Sequence, residues 1–355
     1  MNRLHHLKKT LITNILANSD YHDVEFVLMD YNSSDGLSDF IKTNLQEYLN
    51  NGKLIYYKTN TPDYFNRSHS RNLVFRLASG DLICNIDADN FTGSGFAAYL
   101  NWEFQKKGSR FLTAIGSEKA SQDVLGRICV RADHFYELTG YDELMSWYGF
   151  EDHDFANRLE LNAVKRIPIP RDYLTAITHE QTERLLNERI SADLLALYVN
   201  YLTPASTDFL FLFKDGICRK GILVNNDSFD YTSPFTQLKR SQLKYEYSIY
   251  EDAWIAGIWN GDEQRIEIRI NANSSDTLIW DKKKNCFVLQ SNHSRKQFYR
   301  LTDLSLIEEA IMFFSQVSNR LVMSGNKLAG KIAVNDGFGR DTVYKNFNDN
   351  NPIVI

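Results

Sequence analysis

Three short apolar runs, "VEFVLM" (24–29), "LIYY" (54–57) and "LICNI" (82–86), alternate with segments whose apolar residues recur at helical spacing, and this alternation constrains the chain most. Before the first run, Leu4, Leu7, Leu11, Ile12 and Ile15 share one face of a helix over residues 3–17. Between the runs lie a helix over about 37–49, carrying Leu37, Phe40, Ile41, Leu45 and Tyr48, and a helix "SHSRNLVFRLA" (68–78) closed by Gly80. A β-α-β-α-β rhythm predicts an α/β fold, a mostly parallel sheet covered by helices on both faces.

The two best strands run into acid: "VLMD" ends at Asp30, and "CNIDADN" carries Asp87 and Asp89. Open α/β sheets bind ligands at the carboxyl ends of their strands. Acids collected there suit a metal or a sugar nucleotide better than a bare phosphate. No Gly-rich phosphate loop is present; "GFGRD" (337–341) lacks both the spacing and the preceding strand and reads as a turn.

A helical pattern continues to about residue 201, and "TPASTD" then reads as a linker. Beyond it, "FLFLFKDGICRKGILV", "AWIAGIWNGDEQRIEIRI" and "TLIWDKKKNCFVLQ" are strand-like runs broken by DG and NG turns, the signature of antiparallel hairpins. A helix near 304–324 and a loop-rich tail follow. Two domains are expected, 1–202 and a smaller β-rich α+β domain over 208–355, and 355 residues suffice for two cores.

A net charge of -5 gives no basic footprint for nucleic acid, "HHLKK" being only a local patch. No stretch approaches the roughly 20 apolar residues of a membrane helix, and the N-terminus has no signal-peptide apolar core. The expected location is therefore cytoplasmic, with at most peripheral association at the inner face of the cell membrane. The four cysteines, Cys84, Cys129, Cys218 and Cys286, are widely spaced without a CxxC pair, and read as buried free thiols in a reducing compartment.

"SWYGFEDHDFANRL" (146–159) gathers Glu151, Asp152 and Asp154 where a helix begins. Carboxylates there interact favourably with the exposed N–H groups. One capping residue would satisfy that need, so the surplus points to a site.

Taken together, "VLMDYNSSDG", "RSHSRNLVFRLASGDLICNIDADN", "GYDE", "YGFEDHDFANRL" and "THEQTE", in this order, resemble glycosyltransferase family 2, whose members are nucleotide-sugar glycosyltransferases of the A-type fold. The acidic segment is also similar to that of the β-1,4-galactosyltransferases, where a Glu-Asp pair precedes an Asn-Arg-Leu helix. The resemblance covers roughly residues 1 to 185. It implies that Asp89 touches a divalent cation, Mn2+ or Mg2+, with His179 completing the metal site and Asp87 near the ribose or a metal-bound water. Asp30 would contact the base or ribose of a donor expected to be a UDP-sugar, and Arg71 its uracil or diphosphate. Asp152 would be the general base of an inverting transfer, and Glu151 would hold an acceptor hydroxyl. Trp147 and Tyr148 would pack on the acceptor sugar, Asp154 would cap or brace the helix, and His153 would be a bystander. The polar "EQTERLLNE" would close over the donor.

The expected activity is transfer of a hexosyl or N-acetylhexosaminyl group to a glycan or lipid-linked glycan acceptor in cell-surface or capsular polysaccharide synthesis. The alternative is a non-catalytic glycan- or nucleotide-sugar-binding protein derived from such an enzyme. Family members open with a strand that leads into an Asn-Arg pair, whereas this sequence starts at Met1-Asn2-Arg3. An upstream start is expected, ahead of another segment filling the slot or a compromised enzyme.

Overall fold

The computed structural model describes residues 1–178, 180–203, 206–224, 254–271, 274–290 and 296–355. It packs into two units, Met1–Glu180 with Asn319–Ile355, and Gln181–Ser318.

In the first unit, Leu7, Leu11 and Ile15 form the buried face of α1 (Leu4–Ala17) and join Leu37, Ile41, Leu45 and Leu49 over Leu54 and Tyr56. β1 (Phe26–Tyr31) leads to α2 (Leu37–Asn44) and α3 (Gln46–Asn50), one helix in the sequence reading but broken at Leu45, where φ is -121° and the side chain is buried. β2 (Leu54–Thr59) pairs in parallel with β1. α4 (Arg67–Leu77) starts at Asn66, whose side chain accepts the His69 N–H at 3.0 Å, an ordinary N-cap.

β3 (Leu82–Cys84) ends earlier than expected, so Asp87 and Asp89 stand on a loop before β4 (Asn90–Phe91). α5 (Phe96–Gln105), β5 (Arg110–Thr113), β6 (Ile128–Arg131), α6 (Ala132–Glu137), α7 (Glu151–Leu161), β7 (Lys165–Pro168) and β8 (Thr175–Ala176) complete this stretch. The second sheet has the order β3-β6-β5-β7, and only β5 and β7 are parallel. Both four-stranded sheets of this unit are mixed, not mostly parallel as the sequence predicts. Residues 114–127 between β5 and β6 contain no α-helix, so no crossover is made and the chain returns antiparallel. Phe75, Phe111, Phe135, Tyr141 and Phe155 form the core beneath.

The helical pattern to residue 201 also fails. Short helices α8 (Gln181–Leu185) and α9 (Arg189–Asp193) give way to β9 (Leu194–Thr203), which pairs with β10 (Ser206–Phe213). "TPASTD" is thus the region of a hairpin rather than a domain linker, and its Pro204 and Ala205 lie outside the described residues. β9 and β10 join β11 (Ile217–Val224), β12 (Trp254–Gly261), β13 (Arg265–Asn271), β14 (Ser274–Asp281), β15 (Cys286–Leu289) and β16 (Gln297–Arg300) in a closed antiparallel barrel.

Leu210 and Leu212 of β10 face the barrel core with Ile266, Ile268 and Phe287. The alternate residues Phe209 and Phe211 meet Phe313 and Phe314 of α10 (Leu304–Leu328), at 6.3 and 5.0 Å between ring centroids. Both faces of β10 are therefore apolar, as "FLFLF" requires.

Residues after 318 return to the first unit, so the 202/208 division of domains does not match these units. β17 (Thr342–Lys345) pairs antiparallel with β2, and β18 (Ile353–Val354) pairs with β17. Among the described residues no strand occupies the other edge of β1 or of β3, and the C-terminal strand joins the sheet beside β2 instead. No helix among the described residues is long and apolar enough to cross a membrane.

Candidate active site

The polar stripe of α1 holds the Asp87–Thr92 segment. Thr10 Oγ1 donates to the Ala88 carbonyl at 2.6 Å, and Asn14 Nδ2 to the Asn90 carbonyl at 2.9 Å. Asn14 Oδ1 accepts the Thr92 N–H at 2.9 Å, while Asn18 Nδ2 donates to Thr92 Oγ1 at 2.8 Å. Residues four apart stack on one helix face, so three side chains fix one loop. On its other side the buried Arg127 reaches Asn90 Oδ1 at 2.9 Å, the Phe91 carbonyl at 3.1 Å and the Tyr173 carbonyl. β4 pairs with β8, and the Ile177 N–H donates to the Asp89 carbonyl at 2.8 Å. None of these supports stood out in the sequence, because each depends on partners far along the chain.

The loop presents two carboxylates in different settings. Asp89 is buried, its Oδ1 accepts from Asn90 Nδ2 at 2.8 Å, and burial with the nearby Asp87 pushes its carboxyl up to about 7. Asp87 is more open; its Oδ1 accepts from Asn85 Nδ2 at 2.9 Å and meets Arg71 Nη2 at 3.5 Å. Gly126 makes room for this pair. A Cβ there would lie 2.5 Å from Arg71 Nη2 and 2.6 Å from Asp87 Oδ2. Gly126→Ala is therefore expected to displace both groups at a cost of about 1–3 kcal/mol in stability. Thermal melts check this, and an unchanged midpoint would show that both groups yield without cost.

The second acidic group enters at the start of α7. Gly149 and Phe150 both have left-handed backbone, φ 88° and 69°, a strained choice for a phenylalanine. Asn319 stabilises this turn: its Nδ2 donates to the Trp147 and Gly149 carbonyls at 2.8 and 2.7 Å, and the Arg320 guanidinium lies 5.1 Å from the Phe150 ring centre. The turn aims Glu151 inward. Its Oε1 meets Arg71 Nη1 at 2.7 Å, and its Oε2 is buried without a hydrogen-bond partner. Burial raises the Glu151 carboxyl, Arg71 opposes this, and Asp152 adds to it. Asp152 is also buried, with Oδ1 accepting the His153 N–H at 2.7 Å.

Arg71 connects the two groups. Burial alone would lower its pKa, but Asp87 and Glu151 raise it, and Asp152 acts in the same direction. Its guanidinium lies 5.4 Å from the centre of the Tyr141 ring, and the Tyr141 hydroxyl is buried without a hydrogen-bond partner. Next to it, Asn72 Nδ2 donates to the Tyr141 carbonyl and to Glu143, both at 2.9 Å, which ties "SRN" to "GYDE". The structure thus brings Arg71, Asp87, Asp89, Glu151 and Asp152 into one acidic constellation with one arginine at its centre.

The remaining expected residues stand differently. Asp30 is fully buried and engaged on both oxygens, by the Tyr56 hydroxyl at 2.6 Å and the Ser33 N–H at 2.9 Å. Trp147 and Tyr148 are half-buried, and the Arg67 guanidinium lies 4.0 Å from the Tyr148 ring centre, so one ring face is already covered. Asp154 braces rather than caps: its Oδ2 pairs with Arg158 Nε at 2.7 Å, and Asn326 Nδ2 donates to its Oδ1 at 3.1 Å. His179 lies outside the described residues.

Residues 2–96 match the family model for glycosyl transferase family 2, a segment that holds α1, β1, β2, α4 and the Asp87–Asp89 loop. This match agrees with the family resemblance over the segment that carries "VLMDYNSSDG" and "RSHSRNLVFRLASGDLICNIDADN". No curated protein matches the chain. Two solved Drosophila structures show slight likeness. One is a β-1,4-galactosyltransferase 7 mutant in complex with manganese, UDP-Gal and xylobiose, with 18% identity, TM-score 0.32, and coverage of 47% of this chain and 75% of that one. The other is the catalytic domain of β-1,4-galactosyltransferase 7 with xylobiose, with 16% identity, TM-score 0.29, and coverage of 50% and 88% respectively.

Proposed function

We propose that this protein is an inverting, metal-dependent glycosyltransferase that moves a sugar from a nucleotide donor, a UDP-sugar, to a glycan acceptor in the synthesis of a cell-surface or capsular polysaccharide, including lipid-linked acceptors. The observation that carries the reading is the joining of two acidic pairs by Arg71, one pair on the Asp87–Asp89 loop and one at the head of α7.

The donor set fits a divalent cation. Two hard carboxylates stand two residues apart, and Asp89 is buried beside a like charge that a cation would offset. Asp89 would hold the ion, with His179 as a second ligand, and the ion when bound would offset the charge of the diphosphate leaving group. Asp87 and Arg71 would orient the ribose and diphosphate. Glu151, with its unpartnered Oε2 facing inward, would accept a hydrogen bond from an acceptor hydroxyl. Asp152 would take the proton of the attacking hydroxyl.

Titration calorimetry of nucleotide sugars with manganese and with excess chelator tests the reading. Binding only with the metal is expected, and equal binding in chelator would remove it. Burial and the nearby Asp87 push the Asp89 carboxyl up to about 7, so protons compete with the cation below that value. Apparent manganese affinity is therefore expected to fall by about tenfold per pH unit below pH 7 and to level off above it. A flat profile between pH 5 and 8, an interval of about three units, would contradict this.

A further inference from the structure

Cys84 and Cys129, far apart in sequence, stand directly opposite each other on the antiparallel strands β3 and β6. The flanking bonds identify the kind of pair they form. The Ala132 N–H donates to the Asp81 carbonyl at 2.9 Å, and the Asn85 N–H to the Ile128 carbonyl at 3.0 Å. Hydrogen-bonded pairs alternate with non-hydrogen-bonded ones, so 84 and 129 fall at a non-hydrogen-bonded position. There Cα atoms approach to about 4.5 Å, inside the roughly 4.4–6.8 Å that a disulfide spans. Both cysteines are free, and the Cys84 thiol donates to the Asn85 carbonyl at 3.7 Å.

We propose that Cys84 and Cys129 are a reversible dithiol–disulfide site that couples cellular thiol oxidation to the acidic loop. Cys84 is half-buried and Cys129 fully buried, so a low-molecular-weight disulfide meets Cys84 first. Burial pushes the Cys129 thiol well above its ordinary value, which also makes it the second to react. The Cys84 thiolate attacks one sulfur of the small disulfide, and one small thiol leaves. Cys129 then attacks the Cys84 sulfur of the mixed disulfide, and the second small thiol leaves with the Cys129 proton. Two protein thiols lose two electrons, and one small disulfide becomes two thiols.

The new bond would tie β3 to β6 one residue before Asn85, whose side chain holds Asp87 and the Gly126 carbonyl. Cys218 and Cys286 lie on β11 and β15 of the barrel, strands that are not neighbours.

The test treats the folded full chain with oxidised glutathione, denatures it in maleimide so that the buried thiols are blocked as well, and maps peptides by mass spectrometry before and after dithiothreitol. Two of the four thiols are expected to disappear, as a single Cys84–Cys129 link that dithiothreitol reverses. Hydrogen exchange over residues 82–91 should slow by about threefold or more on oxidation in the wild type, and not in Cys129→Ser. Four thiols still reactive, a link involving Cys218 or Cys286, or unchanged exchange in the linked protein would overturn the proposal. None of these readouts depends on glycosyl transfer, so they separate this proposal from the functional one.

Discussion

Asp152→Asn is expected to lower turnover by about 10² to 10⁴ while leaving nucleotide affinity nearly unchanged. The amide keeps the size of the carboxylate and its acceptance of the His153 N–H, but cannot take a proton. Glu151→Gln separates the neighbouring role. It weakens the tie to Arg71 and the inward-facing Oε2, so the acceptor KM is expected to rise more than turnover falls. Steady-state transfer rates and nucleotide titration on both variants distinguish them. A fully active Asp152→Asn enzyme would remove the base assignment.

The contrast with Asp154, two residues on, marks how far sequence reasoning reached. All three acids of "FEDHD" looked alike as charge at a helix start, and the family resemblance alone ranked them. Their different fates come from Arg71 and Arg158. One arginine, from α4, draws Glu151 toward Asp87; the other, one helical turn beyond Asp154, holds that residue in the core. The second pairing at i,i+4 was readable in principle, since such spacing puts the two side chains side by side. Burial of that pair was not readable, because it depends on Leu138, Gly140, Ile332 and Asn326, which reach it only through the fold.

β9 departs furthest from what its residues predict. "LLALYVN" has enough leucine and alanine for a helix, and its partner strand begins only after Pro204, so periodicity alone could not assign β9. By contrast, Ile266 and Ile268 alternate with Arg265, Glu267 and Arg269, and that strand was plain from sequence. The aspartates at 87 and 89 were legible as a pair. The stripe of Thr10, Asn14 and Asn18 that fixes them was hidden by its ordinary polar composition on a helix read for its leucines.

Asp154→Ala is expected to destabilise the protein by about 3–5 kcal/mol, because it leaves the Arg158 guanidinium buried without its carboxylate. Both side chains are only 1% exposed, so water cannot replace the lost partner. Urea denaturation followed by circular dichroism reads the loss as a lower midpoint at unchanged slope. The double variant Asp154→Leu with Arg158→Met removes both charges but leaves the Leu138, Gly140 and Ile332 carbonyls without their donor, so it is expected to stay destabilised. A single variant within about 0.5 kcal/mol of wild type would show that the pair does not brace α7.

The central claim, that the Asp87–Asp89 loop holds a cation for a nucleotide donor, is tested most directly by electron paramagnetic resonance of manganese. Titrating protein into manganese with UDP present should remove the six-line signal of the free aqueous ion, and Asp89→Ala at matched folded concentration should leave that signal in place. Quenching of equal extent in wild type and Asp89→Ala, or no quenching by the wild type, would contradict the account.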